Sequence, residues 1–290
     1  MKLAAASCAK LASLNPQPAW EAIRAERPDA LLLLGDTVYL EHNHHDDPAE
    51  LAQELRTLYA AQLAEPNFAA LLADLASRGA PLIPIYDDHD FLGDNRYGGD
   101  ASPKLREAAR EVFIETFSPR MTGADVYRVE RFGIVDVIVL DERFYRTRPA
   151  TSQDQRDAML GTEQWNWFEA TVATSAAPYV LVASSSTFHK WKTEAWEEYP
   201  IAFQRMIALL GSRCGAFILS GDIHMNGAYD ESGVIEIVTS SVARKSLYGK
   251  HKNNYAMLEF DATRLRVLLR SLKAGERFAF DIPLARWTLP

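Results

Sequence analysis

The chain has 290 residues, of which 48% are hydrophobic and 24% are charged. A globular protein with a large buried core has this composition, whereas a disordered or fibrous chain does not. Thirty-nine acidic residues against 31 basic residues give a formal net charge of -8, which disfavours nucleic acid as a partner because basic surface is what holds a polyanion.

The chain shows no internal boundary. It contains no internal repeat, low-complexity tract or Gly/Ser linker, so we expect a single domain over residues 1–290. Its apolar stretches are far shorter than the roughly 20 residues that a membrane-spanning helix requires, and the N-terminal residues lack the apolar centre of a signal peptide. We therefore expect no membrane contact and a cytoplasmic location, with an already processed secreted form as the alternative. We also expect both cysteines to be reduced and Cys214 to lie in the core.

Apolar runs and amphipathic stretches alternate along the chain. Buried strands are predicted by short apolar runs at 3–7, 30–34, 82–86, 135–140, 179–184 and 216–220. Helices are predicted by helical spacing of apolar residues at 48–64, 68–77, 103–116, 162–173 and 201–210. A mixed or antiparallel second sheet is predicted by late β-rich segments at 234–238, 255–260, 264–272 and 278–282. The pattern indicates an α/β protein with two sheets and helices outside them.

Side chains that bind metals follow four of the predicted strands. In chain order these strand ends read SC (7–8), GDTVYLE (35–41), DDHDFLGDN (87–95) and SGDIHMNG (220–227). Ligands of open α/β sheets bind beyond the carboxyl ends of the strands. Crowded carboxylates repel one another, and a cation is the usual compensation where imidazole, thiolate and phenolate stand beside them. The four strand ends together predict a metal centre.

Glycine precedes two of these carboxylates. Gly35 and Gly221 stand directly before Asp36 and Asp222, and a tight turn off a strand lets the carboxylate point back across the sheet edge. Asp36 could instead cap a helix, but the residues that follow it are a poor helix start.

Cys8, the run 42–45 and His189 each have a structural interpretation as well as a functional one. Cys8, taken without its neighbours, would be an ordinary buried thiol. The histidine-rich run 42–45 is more typical of a solvated loop than of a metal site. His189 fits a ligand, a substrate contact or a hydrogen-bonded histidine equally well.

The motifs resemble, in the same order, those of the alkaline phosphatase D group of the calcineurin-like metallophosphoesterases. Besides the four strand ends, four further segments resemble motifs of this group: DERFYR (141–146), LGTEQWNWF (160–168), WEEYP (196–200) and NNY (253–255). An ordered succession from residue 8 to residue 255 is far more specific than any single motif. The resemblance implies a four-layer α/β/β/α sandwich of two mixed sheets flanked by helices.

The resemblance also implies a binuclear metal centre. Asp36 would bridge the two metals, and Cys8 and Tyr39 would bind ferric iron, with Cys8 in place of the family's usual early Asp/His pair. Ferric iron with calcium is the expected pair, and manganese or zinc is the alternative.

The second metal would take an oxygen-rich ligand set, which suits calcium. That set would be Asp36 with Asp88 or Asp87, and Asp222. His224 would be a ligand at or near the iron, and the metal that Asp222 and His224 each serve stays open.

Three further residues are expected at the substrate. In the family, hydroxide activated by two metals about 3.5–4 Å apart attacks phosphorus in line, and His89 would be the general acid or stabilise the transition state. Asn95 and Arg143 would contact the phosphate. An ion pair of Arg143 with Asp141 or Glu142 is the alternative, and Asn95 lies one residue further from DDHD than the family spacing.

The sequence therefore predicts a metal-dependent phosphodiesterase or phosphomonoesterase that acts on a small-molecule phosphoester. Diesters are favoured because the short C-terminal tail leaves the site open. A protein of the same fold that binds a phosphorylated ligand or a partner without catalysis is the alternative. Loss of a metal ligand would indicate that alternative, and no ligand is lost.

Overall fold

Two six-stranded sheets form the centre of the protein. The computed structural model describes residues 1–41, 46–121, 125–148, 156–189, 194–244, 253–272 and 277–290. Its strands are β1 (Lys2–Ala6), β2 (Ala30–Leu34), β3 (Leu82–Ile85), β4 (Arg128–Arg131), β5 (Val135–Val139), β6 (Tyr179–Ser184), β7 (Ala216–Ser220), β8 (Gly227–Glu231), β9 (Val234–Val238), β10 (Asn254–Phe260), β11 (Arg264–Ser271) and β12 (Arg277–Pro283). Its α-helices are α1 (Pro18–Glu26), α2 (Pro48–Leu63), α3 (Pro66–Ser77), α4 (Asp88–Phe91), α5 (Pro103–Phe117), α6 (Gly161–Thr174) and α7 (Pro200–Leu210).

Both sheets are mixed, as predicted. The first sheet has the order β12-β11-β10-β1-β2-β3, in which β1 pairs parallel with β2 and β2 with β3, whereas the other neighbours pair antiparallel. The second has the order β4-β5-β6-β7-β9-β8, with β5, β6, β7 and β9 parallel and the two edge strands antiparallel. Parallel neighbours bring their carboxyl ends to the same edge of a sheet, and the loops that leave this edge carry the predicted metal ligands.

The strand periodicity separates the molecule into four layers. Alternate residues such as Leu32 in the first sheet and Val137 in the second pack between the sheets. The opposite face of the first sheet packs against α1, α2, α3 and α5, for example through Leu33 and Phe113. The opposite face of the second sheet packs against α6 and α7, where Trp165 is fully buried. This arrangement confirms the predicted α/β/β/α sandwich.

The late β-rich segments do not form a sheet of their own. Strand β9 joins the second sheet, whereas β10, β11 and β12 extend the first sheet, because β10 pairs antiparallel with β1. Close spacing in sequence identifies a meander but not the sheet edge that the meander joins. The prediction of a separate late sheet was therefore wrong.

Helix α1 and strands β4 and β8 were not predicted. Strand β4 reads RVER, and its Arg128 and Glu130 are buried and paired at 2.9 Å between Nε and Oε1. Strands are recognised by apolar residues at their buried positions, but the buried positions of β4 carry charged residues.

The two cysteines lie in different environments. Both are free thiols, and Cys8 is buried whereas Cys214 is exposed. The expectation that Cys214 lies in the core was wrong, because it precedes β7 in a turn at the surface. No helix in the described parts of the chain is both long enough and apolar enough to span a bilayer.

Phe113 should contribute far more to stability than Phe278. Phe113 is fully buried against the rings of Tyr59, Tyr86 and Phe117, whereas Phe278 is 67% exposed. We expect Phe113→Ala to lower the free energy of unfolding by about 3–5 kcal/mol and Phe278→Ala to change it by less than about 0.5 kcal/mol. Denaturant unfolding of both variants measures this difference, and equal losses would contradict the assignment of the helix-side core.

Candidate metal centre

The ends of β1, β2 and β7 are joined by backbone hydrogen bonds. Cys8 N donates to Gly35 O at 3.3 Å, and Ala9 N donates to Asp36 O at 2.8 Å. Thr239 N, after β9, donates to Ser220 O at 2.9 Å, and Val242 N donates to Ser7 O at 3.0 Å. These bonds bring loops from both sheets together and fix the backbone that carries the predicted ligands.

Within the described residues, two groups of possible metal ligands share Asp36. The ligand atoms of Cys8, Asp36 and His224 all lie within 4.8 Å of one another, and those of Asp36, Asp88 and His89 do so as well. A carboxylate that belongs to two such groups has the placement of a bridging ligand. The grouping puts His224 with Cys8, which was the open question about this histidine.

The carboxylate of Asp36 is buried and only partly satisfied. Its Oδ2 accepts from the Tyr39 hydroxyl at 2.7 Å and lies 3.5 Å from Cys8 Sγ. Its Oδ1 has no hydrogen-bond partner among the residues that the structure describes. A buried carboxylate oxygen without a partner is costly, so this atom fits a position that faces a cation.

Burial and crowding oppose charge at this centre. Burial raises the pKa of Asp36 well above its usual range, and the neighbouring charges of Cys8 and Asp88 raise it further. Burial also raises the pKa of the Cys8 thiol and of the Tyr39 phenol. A bound cation reverses this effect, because it stabilises the deprotonated form of each ligand. The donor set therefore fits a metal.

Left-handed backbone conformations cluster at the candidate ligands. The φ angle is 58° at Cys8, 53° at Asp36, 65° at Asp222 and 56° at His224. A residue other than glycine pays about 1–2 kcal/mol for this conformation, and such strain concentrates at functional sites. The surrounding structure therefore holds these four turns in place at the strand ends.

Two glycines permit the close approach of the strand ends. A Cβ on Gly35, whose φ is 87°, would lie 2.4 Å from the Cβ of Asp87. A Cβ on Gly221 would lie 2.7 Å from Leu34 O. Gly35 serves both a left-handed turn and close packing, whereas close packing is the requirement at Gly221.

Asp88 rather than Asp87 belongs to the second ligand group. Asp88 accepts from His89 N at 2.8 Å and from Asn95 N at 2.6 Å. Burial raises the pKa of Asp88, but the charges of Arg143 and His89 and these two N–H donors outweigh it and lower the pKa to about 2. Asp87 instead pairs with Arg143, at 2.6 Å between Oδ1 and Nε.

Arg143 is fully buried between carboxylates. Besides Asp87, its Nη1 lies 2.6 Å from Glu194 Oε2. Its Nη2 lies 4.0 Å from Asp88 Oδ1 and has no hydrogen-bond partner in the described part of the chain. The guanidinium thus pairs with Asp87 and Glu194, and not with the two acidic residues that precede it in sequence.

His89 and Asn95 both lie at the second ligand group. The His89 ring lies 4.3 Å from the Tyr39 ring and its Nδ1 lies 3.3 Å from Leu40 O. It is also within ligand distance of Asp36, which the sequence did not predict. Asn95 is exposed. Its backbone N–H, and not its side chain, donates the hydrogen bond to Asp88.

Asp222 and His189 lie outside the two ligand groups. Asp222 is close to Cys8, since its backbone oxygen lies 3.8 Å from Cys8 Sγ and its charge raises the pKa of that thiol. His189 pairs with the buried Glu236, at 2.6 Å between Nδ1 and Oε2, as a hydrogen-bonded histidine. The run 42–45 lies outside the described residues.

Sequence reasoning missed Ser240, Asp90 and Glu194. The Ser240 hydroxyl donates to Cys8 Sγ at 2.9 Å and accepts from His224 N at 3.0 Å, so it links two candidate ligands. Asp90 accepts from Val38 N at 2.9 Å, and burial raises its pKa to about 7. Ser240 follows β9 and the strand-end argument could have found it, whereas no sequence pattern connects Glu194 to Arg143.

A buried donor set at the joined strand ends of two mixed sheets defines a metallophosphoesterase fold. The family model for PhoD-like phosphatases matches residues 3–274. The chain belongs to the PhoD-like phosphatase family. This confirms the family that the ordered motifs predicted.

Solved structures with the same fold include two phosphatases and an anchor protein. A structure of PhoD has a TM-score of 0.75 and 19% identity over 97% of this chain and 68% of that chain. A dimetal phosphatase from Danio rerio has a TM-score of 0.60 and 13% identity over 96% and 98% of the two chains. GAP50, the anchor in the inner membrane complex of Plasmodium, has a TM-score of 0.56 and 13% identity over 100% and 89%. No curated protein matches the chain.

Gly35→Ala should disrupt the centre, whereas Gly79→Ala should not. Both glycines have a positive φ, of 87° and 66°, but a Cβ at Gly79 would meet no atom within 4 Å. We expect each variant to lose about 1–2 kcal/mol of stability through backbone strain, and Gly35→Ala to lose more stability and most bound metal. Denaturant unfolding and metal analysis measure both quantities. Equal stability and full metal content in the two variants would show that close packing at Gly35 is unimportant.

Proposed function

We propose that the chain hydrolyses small-molecule phosphodiesters or phosphomonoesters at a binuclear metal centre built around Asp36. The observation that carries this proposal is the pair of three-residue ligand groups that share Asp36. Membership of a phosphatase family and the likeness in fold to a dimetal phosphatase support it. Two bound cations would make hydroxide available near neutral pH and would offset the charge on the phosphoryl oxygens.

The first position would hold ferric iron. Its ligands would be the Cys8 thiolate, the His224 imidazole and Asp36, with the Tyr39 phenolate next to Asp36. The second position would hold calcium on the carboxylates of Asp36 and Asp88, completed by Asp222.

The imidazole of His89 affects which metal suits the second position. It lies within ligand distance of both Asp36 and Asp88, and a set of carboxylates with an imidazole also suits manganese or zinc. Those two metals are therefore the alternatives to calcium at this position.

The residues of the chain would then bind and orient the phosphoester. Asp88 stays ionised, because its pKa is about 2, and Arg143 fixes the position of Asp87. The unpartnered Nη2 of Arg143 is the donor that would contact a phosphoryl oxygen. His89 would donate a proton or a hydrogen bond to the leaving oxygen, and Asn95 would act through the backbone N–H that orients Asp88.

A protein that binds a phosphorylated ligand or partner without catalysis is the competing proposal. One structure of the same fold, GAP50, is named as an anchor, so the fold by itself does not secure catalysis. The two complete ligand groups favour hydrolysis.

Asp36→Asn should abolish turnover. We expect at least a roughly 100-fold loss of kcat/KM, since changes even outside the ligand set of a metal commonly cost 10–100-fold. Asp46→Asn, at an exposed aspartate, is the control and should retain activity. The assay is hydrolysis of a panel of phosphomonoesters and phosphodiesters by the metal-loaded protein. A wild-type protein that binds metal and cleaves none of these esters would favour the binding protein.

The unmodified protein should contain about one iron per chain, a second cation and a visible charge-transfer band. Phenolate and thiolate donors produce such a band on ferric iron, so Tyr39→Phe should shift or weaken it. Tyr127→Phe, at a half-buried tyrosine outside the centre, should leave the band unchanged. Elemental analysis and the absorption spectrum on one sample test this. A zinc or manganese pair would overturn the iron assignment, and failure to take up any metal would overturn the hydrolase.

A further inference from the structure

Tyr39 contacts both the shared carboxylate and an apolar groove. Its hydroxyl donates to Asp36 at 2.7 Å, and the residue also lines a cavity of about 140 Å³. The width of one tyrosine ring thus separates the candidate metal centre from this cavity, which we call the Tyr39 groove. The organic arm of a ligand held at Asp36 would pass beside this ring to reach the groove.

The walls of the Tyr39 groove are mostly apolar. Leu11 and Ala12 line it from the turn after β1, Val38 from the loop after β2, and Leu58 and Ala61 from α2. A dry apolar cavity of about 150 Å³ accommodates benzene. The Tyr39 groove therefore has room for one six-membered ring or a short branched alkyl group. Ala12 and Ala61 are exposed, so a ligand can enter from solvent.

Two cations stand over the tyrosine ring between the groove and the centre. Lys10 Nζ lies 5.3 Å from the centroid of the Tyr39 ring, and the Arg244 guanidinium lies 5.2 Å from it. Glu41 holds Lys10 at 2.5 Å on the rim of the groove. Glu41 offsets the charge of Lys10, so Arg244 is the cation at this ring that would attract an anion in a chain whose net charge is -8. A ligand that matches these features carries an anionic group next to an apolar arm, as a phosphoester of an apolar alcohol does.

We propose that the Tyr39 groove binds the organic arm of the phosphoester, and that this arm is a single ring or a short branched alkyl group. The proposal rests on the proposed function and adds a substrate class to it. Arg244 guides the phosphoryl group toward Asp36, while Val38, Leu58 and Ala61 contact the arm. The groove is then a specificity site that shares only Tyr39 with the proposed metal centre.

The test compares two ligands that hydrolysis cannot cleave. Benzylphosphonate and methylphosphonate carry the same anionic group and differ only in the arm. Dissociation constants are measured by titration calorimetry with the metal-loaded protein. Because a buried ring removes more apolar surface from water than a methyl group, we expect benzylphosphonate to bind about tenfold more tightly.

Filling the groove should remove this preference. Ala61→Phe on α2 and, as a second variant, Ala12→Phe on the turn after β1 should weaken benzylphosphonate binding about tenfold and leave methylphosphonate binding unchanged. Ala76→Phe is the matched control, since Ala76 is also an exposed helix alanine and lines a separate groove with Leu72 and Leu75. This control should keep the preference for the benzyl group.

The outcomes distinguish failure of the groove assignment from failure of the proposed hydrolase. Equal binding of the two phosphonates to the wild-type protein, or a preference that survives in both filled variants, would overturn the groove assignment and leave the proposed hydrolase intact. If neither phosphonate binds to protein shown to carry two metals, both proposals fail.

Discussion

Like charges crowd around Asp36, and this repulsion dominates the electrostatics of the centre. Asp36 is buried beside Cys8 and Asp88, and one of its carboxylate oxygens has no partner in the described part of the chain. The chain compensates part of the negative charge with Arg143, but that guanidinium is committed to Asp87 and Glu194. Because a buried charge without compensation is strongly unfavourable, the centre is suited to bound cations.

The fold brings these groups together by a combination of regular and strained structure. Parallel strands deliver their carboxyl ends to one edge of each sheet, and the apolar layers on both faces hold the strands rigidly. Beyond the strands, left-handed turns at Cys8, Asp36, Asp222 and His224 direct the side chains. Strain of this kind persists only where packing outweighs it. The large cores next to the centre therefore serve its geometry as well as stability.

Chemistry and specificity occupy neighbouring but different parts of the molecule. The candidate metal ligands follow strands, whereas the Tyr39 groove is lined by a turn, a loop and one face of α2. Solved structures with this fold include both phosphatases and an anchor protein, so the fold alone does not determine activity. In the proposed function the donor set at the strand ends would carry the chemistry, and Tyr39 would connect it to the surface that selects the substrate.

The family, the two-sheet architecture and the strand ends that carry the candidate ligands could be predicted from the sequence. Apolar runs and helical periodicity are local properties, and parallel strands place their ends at one edge, so Cys8, Asp36 and Asp88 could be assigned to one centre. The three-dimensional fold was needed to show that β10 joins β1, that Arg143 pairs with residues 56 and 51 positions away, and that His224 groups with Cys8. Such choices depend on distances between remote segments, which local patterns of polarity do not encode.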